Sequence, residues 1–83
     1  MMLVRWSRDA LEDLEHIDPV VARRIVEKVS WLAENFSNIV PERLHKELRG
    51  LYKLRVGDYR AVYSIRADAM TIEAVGHRRH IYR

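Results

Sequence analysis

Tyr52–Val56 and Tyr59–Ile65 alternate apolar and polar residues, with Val62 the exception, and Gly57-Asp58 separates the two runs. Two period-two segments joined by such a pair predict a β-hairpin, because a two-residue turn needs the positive φ that glycine and aspartate tolerate. The turn sets the register. Val56 stands opposite Tyr59, Leu54 opposite Ala61 and Tyr52 opposite Tyr63, all on one apolar face. The other face pairs Arg55 with Arg60 and Lys53 with Val62. A slip of one residue would turn every side chain over, so the agreement of the two strands on an apolar face supports this register.

A third strand is expected over Met70–Val75, after a turn at Asp68-Ala69. That turn would pair Ala67 with Met70, Ile65 with Ile72 and Tyr63 with Ala74. Continued, it brings His77 opposite Arg60 and points His77 and Arg79 toward the cation face. Glu73 would fall opposite Ser64, away from Arg55, so no carboxylate of these strands offsets the cations. Like charges directly opposite one another cost up to about 1 kcal/mol. A bound anion would turn that repulsion into charge-assisted hydrogen bonds. The bland alternative is a cation row facing water, since antiparallel sheets commonly solvate one face.

The N-terminal half has a different period. Leu3-Val4-Arg5-Trp6 reads as a short strand, and Ser7 can cap a following helix that carries Asp9 in its first turn and Leu11, Leu14 and Ile17 on one side. Asp18-Pro19 restarts the helix, with Asp as cap and Pro at the first helical position. The second helix spans about Pro19 to Asn35, with Ala22, Ile25, Val29, Leu32 and Phe36 as its stripe and Val21, Val26 and Ala33 widening it. Residues 37–50 are irregular, with a short turn or edge strand near Leu44–Leu48 that ends at Arg49-Gly50. The expected fold is α+β: an N-terminal strand, a two-helix antiparallel hairpin and a three-stranded antiparallel meander, in a single domain over residues 1–83.

Composition narrows the function. The chain has no cysteine, which excludes a disulfide framework, a thiolate metal site and a cysteine nucleophile. No apolar run approaches the roughly 20 residues that span a bilayer, and the N-terminal apolar stretch is short for a signal peptide. A cytoplasmic protein with no membrane partner is the expectation. Charge is uneven. Residues 1–50 hold eight Lys/Arg against nine Asp/Glu, whereas residues 51–83 hold seven against three. A basic segment of this kind can steer a polyanion.

The string Leu48-Arg49-Gly50-Leu51-Tyr52-Lys53-Leu54-Arg55-Val56-Gly57-Asp58-Tyr59-Arg60-Ala61-Val62-Tyr63, with the later Val75-Gly76-His77-Arg78-Arg79-His80-Ile81-Tyr82, closely resembles the RelE branch of the RelE/ParE toxin superfamily. The likeness extends over essentially the whole chain. It implies a RelE-like microbial RNase-type fold and the toxin of a type II toxin–antitoxin pair. RelE-type toxins enter the ribosomal A site and cut the mRNA there, without metal or cofactor. The RNA 2′-hydroxyl attacks the adjacent phosphate, leaving a 2′,3′-cyclic phosphate and a 5′-hydroxyl. The resemblance carries the family's catalytic roles onto Lys53, Arg55, Arg60, Arg78 and Tyr82. Arg55 is a departure, because the family has a second lysine there.

Arginine cannot give up its proton, so Arg55 is not the base. A lysine crowded by Arg55 and Arg60 would release its proton more readily, which makes Lys53 the candidate base. His77 and His80 are alternatives, since imidazole titrates near neutral pH, although each reads more readily as a surface histidine without a role. Arg79 is an alternative to Arg78 because the spacing shortens here. Arg79, His77 and His80 are therefore secondary substrate-binding candidates. Tyr82 could stack on a base or pack the chain end against the sheet. Tyr52, Tyr59 and Tyr63 read as core. Trp6 and Trp31 read as structural or as part of an antitoxin contact.

The implied partners are a RelB-like antitoxin, acidic where it meets the basic face, together with the ribosome, its mRNA and, through the antitoxin, operator DNA. A ParE-like gyrase inhibitor without nuclease chemistry is the competing reading, since ParE-like chains share the Gly-Asp-Tyr-Arg stretch and the Gly-His-Arg ending. A toxin reduced to a DNA-binding corepressor is the third. The joint presence of Lys53, Arg55, Arg60, Arg78 and Tyr82 favours the RelE reading.

Overall fold

The computed structural model describes residues 2–45 and 48–81. Its elements are β1 (Leu3–Trp6), α1 (Arg8–Glu15), α2 (Pro19–Glu34), a 3-10 turn (Phe36–Asn38), β2 (Glu42–His45), β3 (Leu48–Val56), β4 (Tyr59–Arg66) and β5 (Ala69–His77). They form an α+β fold with one sheet of five strands in the order β1-β5-β4-β3-β2. β1 runs parallel to β5, and the other pairs are antiparallel. The irregular segment thus supplies a fifth strand, β2, at the free edge of the meander.

Local chemistry accounts for the helices. The Ser7 hydroxyl accepts the Ala10 N–H at 3.0 Å and caps α1. Asp18 accepts the Val20 N–H at 2.9 Å and caps α2, whose first residue is Pro19. The stripe of α2 meets one sheet face: Ile25, Val29 and Leu32 are buried with Ala61, Tyr63, Met70, Ile72 and Val75. Tyr52 and Tyr59 pack against this core, as does Trp6. Val26, expected to widen the stripe, is exposed. It lies one residue past Ile25, a rotation of about 100° away from the core.

The β3–β4 register is the expected one, from Val56↔Tyr59 through Arg55↔Arg60 to Tyr52↔Tyr63. The β4–β5 register is not. The turn falls one residue earlier, at Ala67-Asp68, with Ala67 at φ 57°. Ile65 then pairs with Met70 and Tyr63 with Ile72. Between Val62 and Tyr63 the pairing shifts, so that Val62 meets Ala74, Arg60 meets Gly76 and Tyr59 meets His77. Glu73 is the extra residue of this bulge. An extra residue frees backbone groups from the ladder, and the start of the chain receives them. The Ser7 hydroxyl donates to the Glu73 carbonyl at 2.9 Å, the Ser7 N–H to the Ile72 carbonyl at 2.9 Å, and the Val75 N–H donates to Asp13 Oδ2 at 2.8 Å.

The bulge corrects the expectation for His77. It lies opposite Tyr59 on the helix-covered face, with ring centroids 5.5 Å apart at 78°, and not opposite Arg60. The burial pattern records the bulge: the buried apolar residues run Met70, Ile72, then Val75, which breaks the alternation.

Candidate anion-binding site

The open face of the sheet carries Lys53, Arg55 and Arg60, as the hairpin register requires. It also carries a carboxylate. β2 lies beside β3 with Glu42 paired to Lys53. Arg55 Nε donates to Glu42 Oε1 at 3.0 Å, and Arg55 Nη2 donates to Oε2 at 2.6 Å. Lys53 Nζ lies 3.4 Å from the same Oε2. The Arg55 hydrogen bond holds the Glu42 carboxyl below its ordinary value of 4.5, against a smaller opposing effect of burial.

Sequence reasoning missed Glu42. Its strand has four residues and its ladder with β3 is irregular between Arg43 and His45, so no local period announces it. The available signal was one of two glutamates, directly after Pro41, in the irregular stretch just ahead of the possible edge strand near Leu44–Leu48. Glu42 lies outside the three strands in which no relieving carboxylate was expected, and it offsets the crowding on which Lys53 was judged the candidate base.

Arg60 takes another route. Its Nη1 donates to the Gly57 carbonyl at 2.9 Å and to the Tyr59 carbonyl at 2.8 Å, and the residue is only 9% exposed. Arg55 and Arg60 therefore pair through their backbones while their side chains separate, one onto Glu42 and the other onto the hairpin turn.

The C-terminal turn borders this face. The Arg78 N–H donates to the Asp58 carbonyl at 2.8 Å, and Arg78 Nε lies 3.9 Å from Asp58 Oδ1, so Arg78 sits at the hairpin tip. His80 and Ile81 donate their N–H groups to the His77 carbonyl at 2.8 and 3.1 Å. A Cβ on Gly76, the partner of Arg60, would come within 3.2 Å of Ile81 Cδ1, which places Ile81 over the sheet beside Arg60. The exposed Arg79 donates its N–H to His77 Nδ1 at 3.2 Å. The His77 and His80 rings stand 6.0 Å apart. Tyr82 lies outside the described residues. Lys53 and Arg55 are thus brought together at Glu42, with Arg60 and Arg78 at their border, whereas His77 lies on the other face.

Around the edge of β3 a groove of about 460 Å³ is lined by Arg24, Glu27, Lys28, Trp31, Arg55, Val56 and Gly57. Trp31 is 46% exposed there, with Lys28 Nζ 4.2 Å from its ring centre. Tyr63, by contrast, is core: burial pushes its phenol up to about 12.

The sequence model of the ParE toxin of the parDE type II toxin–antitoxin system matches residues 4–82. The chain belongs to the ParE toxin family. It is a type II toxin of the RelE/ParE superfamily, and solved structures agree with its fold. The toxin–antitoxin complex RelBE2 from Mycobacterium tuberculosis includes a chain 29% identical to this toxin, with a TM-score of 0.79 over 92% of this chain and 96% of that one. The isolated RelE toxin of E. coli is 18% identical, with a TM-score of 0.77 over 93% and 84%. A chain of the chromosomal ParDE system from P. aeruginosa is 24% identical, with a TM-score of 0.72 over 93% and 96%. These last two establish likeness of fold alone. No curated protein matches the toxin significantly in sequence.

Proposed function

We propose that this toxin is a RelE-type, metal-independent endoribonuclease that cuts mRNA on the ribosome. The observation that carries the reading is the joining of Lys53 and Arg55 to one carboxylate, Glu42, on the face that also bears Arg60. In-line cleavage needs cations to hold the scissile phosphate and an acceptor for the 2′-hydroxyl proton. Lys53 and Arg55 supply the cations, with Arg60 and Arg78 at their border. Arg55 cannot accept the proton, and Glu42 can. The 2′-oxygen bonds to phosphorus as Glu42 takes its proton. The bond from phosphorus to the 5′-oxygen then breaks, that oxygen takes a proton from solvent water, and Glu42 returns its proton to solvent. The products are a 2′,3′-cyclic phosphate and a 5′-hydroxyl. Fixed cations stabilise the charge that builds on the phosphate oxygens.

The partner that silences the toxin is proposed to be an antitoxin of the RelB kind, as in the RelBE2 complex. The groove beside Trp31, with Arg24, Lys28 and Arg55 against Glu27, suits an acidic segment carrying an apolar side chain. A second reading, gyrase inhibition, is favoured by the family match itself.

The deciding experiment adds the toxin to a translating extract and maps mRNA 5′ ends, beside a purified gyrase assay. New 5′-hydroxyl ends at A-site codons are expected. Intact mRNA with toxin-dependent gyrase–DNA cleavage complexes would replace the ribonuclease reading by the second.

A further inference from the structure

We propose that Glu42 is a built-in counter-ion of the anion site, and that an incoming phosphodiester takes Arg55 from it, releasing the carboxylate for its work on the 2′-hydroxyl. The inference rests on the phosphodiester-cleaving reading above and adds the order of events within that site.

The Nε and Nη2 edge of Arg55 makes two parallel hydrogen bonds to the two oxygens of Glu42, at 3.0 and 2.6 Å. A phosphate presents two oxygens to a guanidinium in the same way. One edge serves one such anion at a time. In the free toxin it is therefore occupied by the protein's own carboxylate, with Lys53 Nζ 3.4 Å away on the same oxygen.

The exchange is energetically open. The side chains of Arg55 and Glu42 are 59% and 43% exposed, so water can replace either partner. Exposed ion pairs contribute about 0–1 kcal/mol, and this doubly bonded pair belongs at the upper end of that range. A phosphodiester that reaches Arg55 also meets Lys53 in place of Glu42. Arg60 offers a contrast, since it is nearly buried and bonded to two backbone carbonyls. The face thus combines one cation fixed in advance with one whose anion can be exchanged.

The exchange also links binding to chemistry. While Arg55 donates to it, Glu42 is a poorer proton acceptor than an ordinary glutamate. Handing Arg55 to the phosphate restores its basicity once a substrate is in place. Glu42 then acts in opposite directions on the two steps: it competes with substrate for Arg55 during binding and assists during cleavage. A residue that only supported the fold would weaken both steps, and a simple substrate contact would weaken binding when removed.

The test measures binding of a single-stranded DNA oligonucleotide, which has phosphodiesters but no 2′-hydroxyl to react. Wild type, Glu42→Gln, Arg55→Ala and the double variant are compared by fluorescence anisotropy, with Glu42→Ala as a second removal of the carboxylate and thermal unfolding as a check on folding. Glu42→Gln should bind about threefold to fivefold tighter, the size of an exposed ion pair, and the gain should vanish in the Arg55→Ala background. Ribosome-dependent mRNA cleavage by Glu42→Gln should fall by about a hundredfold or more. Unchanged or weaker binding by both Glu42 variants would overturn the exchange, and so would tightening that persists without Arg55. If wild type cuts no mRNA but the Arg55-dependent tightening is seen, the exchange stands and the ribonuclease reading falls.

Discussion

Glu42 on β2 and Arg55 on β3 are joined by two hydrogen bonds, of 3.0 and 2.6 Å. Arg55 stands opposite Arg60 in the hairpin ladder, yet it is tied sideways, to the strand on its other flank. The charge conflict of the hairpin is thereby relieved by an element outside it.

That pair should show in the acid limb of stability. The folded Glu42 carboxyl titrates below its ordinary 4.5, chiefly because Arg55 donates to it. As acid is added the unfolded chain takes up this proton first. The stabilisation is therefore complete above the ordinary value and is lost as the pH falls through the lower, folded one. Urea midpoints of wild type and Glu42→Gln, measured across this range, should differ near neutrality and converge below pH 4.5. The gap should not exceed about 1 kcal/mol, because the pair is largely exposed. A gap that held constant into acid would contradict this origin.

Arg60→Ala is expected to cost stability as well as function. The side chain is nearly buried and satisfies the carbonyls of Gly57 and Tyr59. Leaving such groups without their donor costs about 1–3 kcal/mol. Equilibrium unfolding should detect that loss in Arg60→Ala and a smaller one in Arg60→Lys, whose ammonium can still donate. An unchanged unfolding midpoint for Arg60→Ala would mean that the turn does not depend on this guanidinium.

Asp13 should prove structural although it is a carboxylate. It accepts the Val75 N–H at 2.8 Å just past the bulge. Asp13→Ala should lower stability by about 1–3 kcal/mol, and Asp13→Asn by less, since its carbonyl oxygen can still accept. Amide exchange of Val75 should quicken selectively in the alanine variant. Equal exchange in both proteins would place the anchor of the bulge elsewhere.

The helices and the β3–β4 hairpin were legible in the residues because their determinants are local. Ser7 and Asp18 cap helices within three residues of themselves, and a two-residue turn leaves the hairpin one register that buries Leu54, Val56 and Ala61 together. The likeness of the Leu48–Tyr63 string to RelE toxins supplied the fold, which the structure bears out. The position of His77 was not legible. It depends on the Glu73 bulge, whose backbone groups are received by Ser7 and Asp13, more than 60 residues earlier in the chain. One inserted residue was enough to move His77 to the opposite face.

By itself, then, the sequence determined the two helices, the hairpin register and the sharing of one face by Lys53, Arg55 and Arg60. Only the tertiary structure decided which groups those cations hold. Arg60 folds back on its own turn, while Lys53 and Arg55 meet Glu42 on a four-residue strand. Period and turn chemistry fix which way a side chain leaves its own strand. They carry no information about which distant segment will lie beside it, because that choice follows from how the whole sheet closes.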